Sequence, residues 1–137
     1  MAEFSLQGAA DIAAQQDKGT RVVLRNHLGD TLTYTDTNGE VVEVYATVAG
    51  TLSNTYRRAE DAQRDRQLKR RSVTLTSEQL TQQQIALTAA CVLEWNLRDG
   101  GKPIPCTPAN VSQVLNAAPY IRADIEAAMT DAARFLG

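Results

Sequence analysis

The sequence is poor in aromatic, histidine and cysteine side chains. Its 137 residues include two Phe, four Tyr and one Trp, so Leu, Val, Ile and Ala must supply most of the core. The single histidine, His27, excludes a His-rich metal centre and any mechanism that needs two imidazoles. The two cysteines, Cys91 and Cys106, are too few for a disulfide-rich secreted scaffold.

Long apolar runs are also lacking. No stretch approaches the roughly 18–20 apolar residues of a membrane span, and the early Glu3 does not fit a secretory signal. We therefore expect a soluble intracellular protein without membrane contact. A net charge of −2 argues against a dedicated nucleic-acid binder.

The motifs that carry chemistry are incomplete. Gly100-Gly101-Lys102 resembles a phosphate-binding loop, but an earlier Gly is missing and Pro103 stands where Ser or Thr is needed. A nucleophilic Cys106 would need a base beside it, and nothing in the sequence brings His27 to it. The sequence predicts no catalytic centre, metal or cofactor.

The first third of the chain predicts a short helix followed by a small sheet. Residues 1–17 are rich in Ala and Gln, and Gly19 is a suitable helix stop. The segments 21–25, 31–35 and 41–48 are β-prone, and turn signals separate them, the stronger being Asn38-Gly39. Two or three antiparallel strands would need a helical layer over one face.

Residues 53–71 form the one electrostatic anomaly. The segment has a net charge of +4, against −6 for the rest of the chain, and contains neither Gly nor Pro. Its cations are Arg57, Arg58, Arg64, Arg66, Lys69, Arg70 and Arg71. The narrow apolar stripe of Tyr56, Ala59 and Leu68 predicts a helix that projects into solvent or bridges to a partner.

Three interpretations of this helix stay open. It is a solvated helix with internal ion pairs such as Glu60–Arg64, a docking surface for an acidic protein or a neighbouring protomer, or a nucleic-acid contact. The acids among its cations and the lack of interleaved aromatic residues disfavour the third.

The C-terminal part predicts three helices. Thr76 and Gln79 form a capping box that opens a helix running toward Leu97. Asp99-Gly100-Gly101 ends that helix, and residues 102–106 form a stiff extended loop. Thr107-Pro108 and Pro119 open two further helices, the last with an apolar stripe of Ile121, Ile125, Ala128, Met129, Ala132 and Leu136.

Together these elements predict an α+β protein: a small N-terminal antiparallel β-sheet, a long charged helix and a C-terminal three-helix unit. We divide the chain into an N-terminal segment, 1–52, and a helical region, 53–137, within a single compact protein.

Two stretches carry a resemblance to a known family. The first contains a Trp at the end of a predicted helix, a D-G-x-x-x-I-P turn, Thr with Asn three residues on, a Leu, a Pro-x-Ile pair and a terminal Phe-Leu. Its residues are Trp95, Asp99-Gly100, Ile104-Pro105, Thr107, Asn110, Leu115, Pro119-Tyr120-Ile121 and Phe135-Leu136. The second is the G-x-x-S-x-x-Y-R stretch from Gly50 to Arg57. Both resemble the tail assembly chaperones of long-tailed phages and prophages.

The resemblance implies a non-enzymatic protein of the bacterial host cytoplasm that binds the tape-measure protein and recruits tail-tube subunits. A homo-oligomer is compatible with it. Trp95, Ile104, Asn110 and Pro119 are expected to be structural, with Trp95 packing on Ile104 and Asn110 satisfying a helix start or the loop backbone. The alternative is a structural virion protein, either a tail or a head–tail completion component.

Overall fold

The structure, a computed structural model, describes residues 3–69 and 74–136. Its helices are α1 (Leu6–Lys18), α2 (Asn54–Leu68), α3 (Ser77–Ala90), α4 (Pro108–Ala117) and α5 (Pro119–Thr130), followed by a 3-10 turn, Ala132–Phe135. Its strands are β1 (Thr20–Val23), β2 (Thr33–Thr35), β3 (Val41–Glu43), β4 (Tyr45–Val48), β5 (Val92–Trp95), β6 (Arg98–Asp99) and β7 (Lys102–Pro103). The predicted α+β class is confirmed.

A three-stranded antiparallel sheet of order β1-β4-β5 forms one layer of the core. Val22 of β1 lies opposite Ala46 of β4, and Val48 lies opposite Val92 of β5. These four side chains are buried and belong to one apolar cluster with residues of α3, α4 and α5. The helical layer expected over one face of the sheet is therefore present.

The helix predicted to run toward Leu97 ends at Ala90, and this part of the prediction was wrong. Residues 92–95 form β5 and pair with β4 across a register shift at Thr47/Val48. Val92 and Trp95 suit a half-buried strand as well as a helix, and the unpaired edge of β4 decides between the two. Asp99-Gly100-Gly101 does not end a helix either, since it makes the turn between β6 and β7.

The expected strand 41–48 is interrupted at Val44. The Val44 N–H donates to Leu32 O, and the Leu32 N–H donates to Leu24 O. These hydrogen bonds separate the β1–β4 pairing from the β2–β3 hairpin. At the turn between β2 and β3, Asp36 Oδ1 accepts hydrogen bonds from two backbone N–H groups, and Gly39 has φ 81°. The predicted Asn38-Gly39 turn is confirmed.

The predicted helix starts are also confirmed. Thr76 and Gln79 form a reciprocal capping box on α3, and Thr107 caps α4 ahead of Pro108. In α5 the stripe is buried from Ile121 to Met129. The chain then turns at Asp131, which exposes the expected core residues Ala132 and Leu136 and buries Phe135 instead.

Candidate protein-interaction surface

The charged helix α2 lies on the surface against α3. Ser53 caps it, and none of its residues is buried. Gln63 Nε2 donates to Gln83 O at 2.7 Å, and Gln67 Nε2 donates to Gln83 Oε1 at 3.0 Å. Leu68, expected as an apolar anchor, is 78% exposed, so that part of the prediction was wrong. Amide hydrogen bonds therefore contribute to the contact between α2 and α3.

The predicted arginines are spread around α2. Arg64 pairs with Asp61 at 3.5 Å, rather than with Glu60 as expected, and both side chains are more than half exposed. Arg66 Nε donates to Ala62 O at 3.3 Å. The remaining described cations, Arg57, Arg58 and Lys69, are exposed, whereas Arg70 and Arg71 lie outside the described residues.

Within α2 itself the charge is nearly balanced. Residues 54–68 contain four arginines and three acids, a net +1, so the excess of positive charge lies in residues 69–71. Exposed pairs such as Arg64–Asp61 contribute about 0–1 kcal/mol to stability. The guanidinium groups of Arg64 and Arg66 are therefore available to a partner at little cost to the fold.

A groove of about 410 Å³ runs between α2 and α3. Amide side chains dominate its lining: Gln63 and Gln67 come from α2, and Gln79, Gln82 and Gln83 come from α3. Arg66 stands on the α2 side, and Glu78 and Ala86 complete the α3 side. Leu75, just before α3, also lines the groove, which therefore combines amide groups, apolar surface and charged groups of both signs.

Two side chains of the first motif donate hydrogen bonds to consecutive carbonyl groups of the segment before α4. Trp95 Nε1 donates to Ile104 O at 2.7 Å, and Asn110 Nδ2 donates to Pro105 O at 3.0 Å. Asn110 thus satisfies the loop backbone as expected, and Trp95 contacts Ile104 through its backbone carbonyl, although Trp95 lies in a strand and does not close a helix. Pro119 is the first residue of α5. Ile104 and Asn110 also line a second cleft, of about 320 Å³, beside the β6–β7 hairpin.

Residues of the second motif, 50–57, contact the C-terminal end of α1. A side chain at Gly50 would overlap Gln16 Oε1, which instead accepts a hydrogen bond from the Leu52 N–H at 2.8 Å. Gln16 is 2% exposed. Ser53 Oγ accepts from the Tyr56 N–H at 3.1 Å, which opens α2. Sequence reasoning missed Gln16, because nothing local distinguishes it from the neighbouring Gln15.

The thiols and the imidazole occupy separate environments. Cys91 is fully buried, and this desolvation, with the nearby charge of Asp17, raises its pKa to about 12. Since the thiolate is the nucleophile, Cys91 is chemically inert near neutral pH. Cys106 is half-buried with Sγ 3.8 Å from Val92 O, and burial also raises its pKa. His27 is exposed beside the Tyr120 ring, at a centroid distance of 6.1 Å.

No group of three or more His, Cys, Asp or Glu side chains within residues 3–69 and 74–136 is arranged to hold a metal ion. None of the helices described is long and apolar enough to cross a membrane. The chain matches no known protein family, no curated protein and no solved structure.

Proposed function

We propose that this protein is a non-enzymatic phage tail assembly chaperone, which binds the tape-measure protein in the bacterial host cytoplasm and brings tail-tube subunits to it. The observation that carries the proposal is the groove between α2 and α3, which offers a helical client amide groups and apolar surface side by side, with Arg66 on the α2 side.

The dimensions of the groove suit a helix. It is bordered by residues 63–67 of α2 and 78–86 of α3, and this part of α3 extends about 13 Å at 1.5 Å per residue. A client helix of about two turns matches that length, as in helix-in-groove recognition. The tape-measure protein implied by the resemblance is long and helical, so it supplies segments of this shape.

The lining defines the chemistry of the client. Each glutamine amide has two donor hydrogens and two acceptor lone pairs. Within the described residues, Gln63 and Gln67 each donate one hydrogen bond, so their carbonyl oxygens can accept from a partner. Arg66 adds positive charge on the α2 side, and Glu78 adds negative charge on the α3 side. We therefore expect a client helix with polar and apolar residues toward the groove and an acidic residue toward Arg66.

The motif contacts support the family resemblance. Trp95 and Asn110 hold adjacent carbonyl groups of residues 104 and 105, and Gly50 and Ser53 fix the start of α2. These residues are scattered in sequence but form two structural junctions. The residues that carry the resemblance therefore have structural roles, and the resemblance assigns no residue to client binding.

Charge reversal on α2 tests the client site. In a co-expression pull-down with the tape-measure protein, Arg64→Glu with Arg66→Glu should weaken association about tenfold or more. The matched control is Arg134→Glu with Lys102→Glu. Arg134 also pairs with an aspartate three residues away, at 3.7 Å, and is similarly exposed. Both double variants should keep the wild-type melting temperature within about 4 °C.

Three outcomes would count against the proposal. The first is no association of the two wild-type proteins when they are co-expressed. The second is equal loss of binding in the α2 variant and its control. The third is recovery of the protein from purified phage particles by mass spectrometry, which would favour the structural virion protein instead.

A further inference from the structure

Asn38 and Gly39 lie at the tip of the β2–β3 hairpin. Both residues are exposed, and Gly39 has φ 81°. A Cβ built on Gly39 would meet no heavy atom within 4 Å among the described residues beyond its chain neighbours. The backbone nitrogen of Gly39 is therefore not shielded by a side chain of its own or by the rest of the described fold.

The side-chain amide of Asn38 differs from those of the other asparagines. Asn38 donates its backbone N–H to Asp36 Oδ1, but its side chain makes no hydrogen bond within residues 3–69 and 74–136. The side chains of the other asparagines each make at least one: Asn26, Asn54, Asn96, Asn110 and Asn116. Asn38 is also the one asparagine followed by a glycine. Its amide carbon can therefore turn toward the next backbone nitrogen without breaking a side-chain contact.

The hydrogen bonds that close this turn are local. The Gly39 N–H donates to Asp36 O at 3.1 Å, and the Asp36 N–H donates to Glu40 O at 2.9 Å. Asp36 Oδ1 accepts from the N–H groups of Asn38 and Glu40. All of these bonds lie within residues 36–40. The turn can therefore open, and release the Gly39 nitrogen, without disturbing the apolar core.

An asparagine followed by an unhindered backbone nitrogen can cyclise. The Gly39 nitrogen loses its proton to hydroxide and attacks Asn38 Cγ. The bond from Cγ to Nδ2 then breaks, and the amide nitrogen takes a proton from water and leaves as ammonia. Water opens the resulting five-membered succinimide at either carbonyl group, which gives aspartate or isoaspartate. Water is the only co-reactant, and no electrons are exchanged.

We propose that Asn38 is a self-modification site of the folded protein, which converts by this route into aspartate and isoaspartate. The conversion adds a carboxylate between Asp36 and Glu40, so the turn then carries three acidic groups. In the isoaspartate product the main chain runs through Cγ and is longer by an extra atom. The hydrogen bonds between residues 36 and 40 fit this longer turn less well, which loosens the end of the hairpin. This inference goes beyond the proposed function, because it depends on the hairpin alone.

Incubation of the intact, folded chain at mildly alkaline pH provides the first test. An acidic form should accumulate on ion exchange, since each conversion adds a negative charge. Peptide mass spectrometry should place the change at Asn38, at least about tenfold faster than at any other asparagine, because each of those precedes a residue with a Cβ. Reversed-phase separation of the modified peptide should resolve the aspartate and isoaspartate isomers.

Two variants separate the chemistry from the exposure of the turn. Asn38→Gln is the matched control, because it keeps an amide at the same position but would have to form a six-membered ring. It should not form the acidic species. Gly39→Ala keeps Asn38 and places a Cβ beside the attacking nitrogen, so it should slow the conversion about tenfold. Since alanine is strained at φ 81° and loosens the turn, slower conversion in this variant reflects hindrance at the nitrogen rather than a more closed turn.

Each alternative result overturns the proposal. An acidic form that does not appear in the folded chain, whether or not the urea-unfolded chain produces it, would show that the native turn protects Asn38. An acidic form that accumulates equally in Asn38→Gln arises at another residue. Conversion of Gly39→Ala at the wild-type rate or faster would contradict attack by the Gly39 nitrogen. None of these measurements includes the tape-measure protein, so they succeed or fail independently of the proposed function.

Discussion

Replacing Gly50 by alanine should weaken the attachment of α1 to the body of the protein. The new Cβ would overlap Gln16 Oε1 and lie 3.0 Å from Phe135 Cζ, so both side chains must move. Gln16 can leave only by breaking its hydrogen bond to the Leu52 N–H. The variant therefore loses the hydrogen bond between the Leu52 N–H and the buried Gln16 side chain.

The expected magnitude follows from these contacts. An orphaned buried N–H costs about 1–3 kcal/mol, and crowding against the Phe135 ring adds about 1 kcal/mol. The lower entropy of the unfolded Ala variant offsets roughly 0.4–1 kcal/mol of this. We expect Gly50→Ala to lower the free energy of unfolding by about 1–3.5 kcal/mol in total.

A double-mutant cycle with Gln16→Ala tests the reasoning by urea denaturation. Since Gln16→Ala removes the overlapping amide, Gly50→Ala should then cost no more than about 1 kcal/mol, from Phe135 alone. Equal costs in the two backgrounds would show that the Gly50–Gln16 contact does not hold α1 in place.

Three further predictions concern the core and its titrating groups. Trp95→Phe removes the hydrogen bond to Ile104 O and should lower the free energy of unfolding in urea by about 1 kcal/mol. An unchanged stability would show that this hydrogen bond does not stabilise the loop. Burial raises the pKa of Asp17, but hydrogen bonds from Thr55 and Asn54 and the charge of Arg58 bring it below its usual value. Its stabilising effect is therefore present above about pH 4 and lost as the pH falls, so wild type should lose stability in acid more steeply than Asp17→Asn. The pKa of Cys91 is raised to about 12, so the folded state keeps a proton that the unfolded thiol releases near its ordinary value, roughly 8.5. Stability should therefore fall as the pH rises through this interval, more in wild type than in Cys91→Ala, and parallel curves would contradict the buried thiol.

Local signals in the sequence located several helix starts and the turn between β2 and β3 correctly. Thr76 with Gln79, Thr107 with Pro108, and Gly39 each act through hydrogen bonds or φ angles within a few residues. Such signals do not depend on the rest of the fold, which is why they can be read from the sequence.

The errors arose where distant partners decide the structure. Val92 and Trp95 continue a helical pattern from Ile85, and only pairing with β4 makes them a strand. Leu136 continues the stripe of α5, but the turn at Asp131 breaks the helical phase.

The candidate site was only partly predictable from the sequence. The arginines of α2 are evident there, whereas the groove beside them exists because Gln63 and Gln67 meet Gln83 of α3. The positions of these glutamines in the sequence do not predict such a contact. The role of Gln16 was hidden for the same reason, since it depends on the close approach of Gly50.

Hydrogen–deuterium exchange of the chain, alone and with its tape-measure client, tests the central claim most directly. We expect slower exchange in α2 and in the part of α3 that lines the groove, residues 78–86, with little change in the β2–β3 hairpin. Protection confined to other surfaces, or no protection at saturating client, would contradict a function based on the α2–α3 groove.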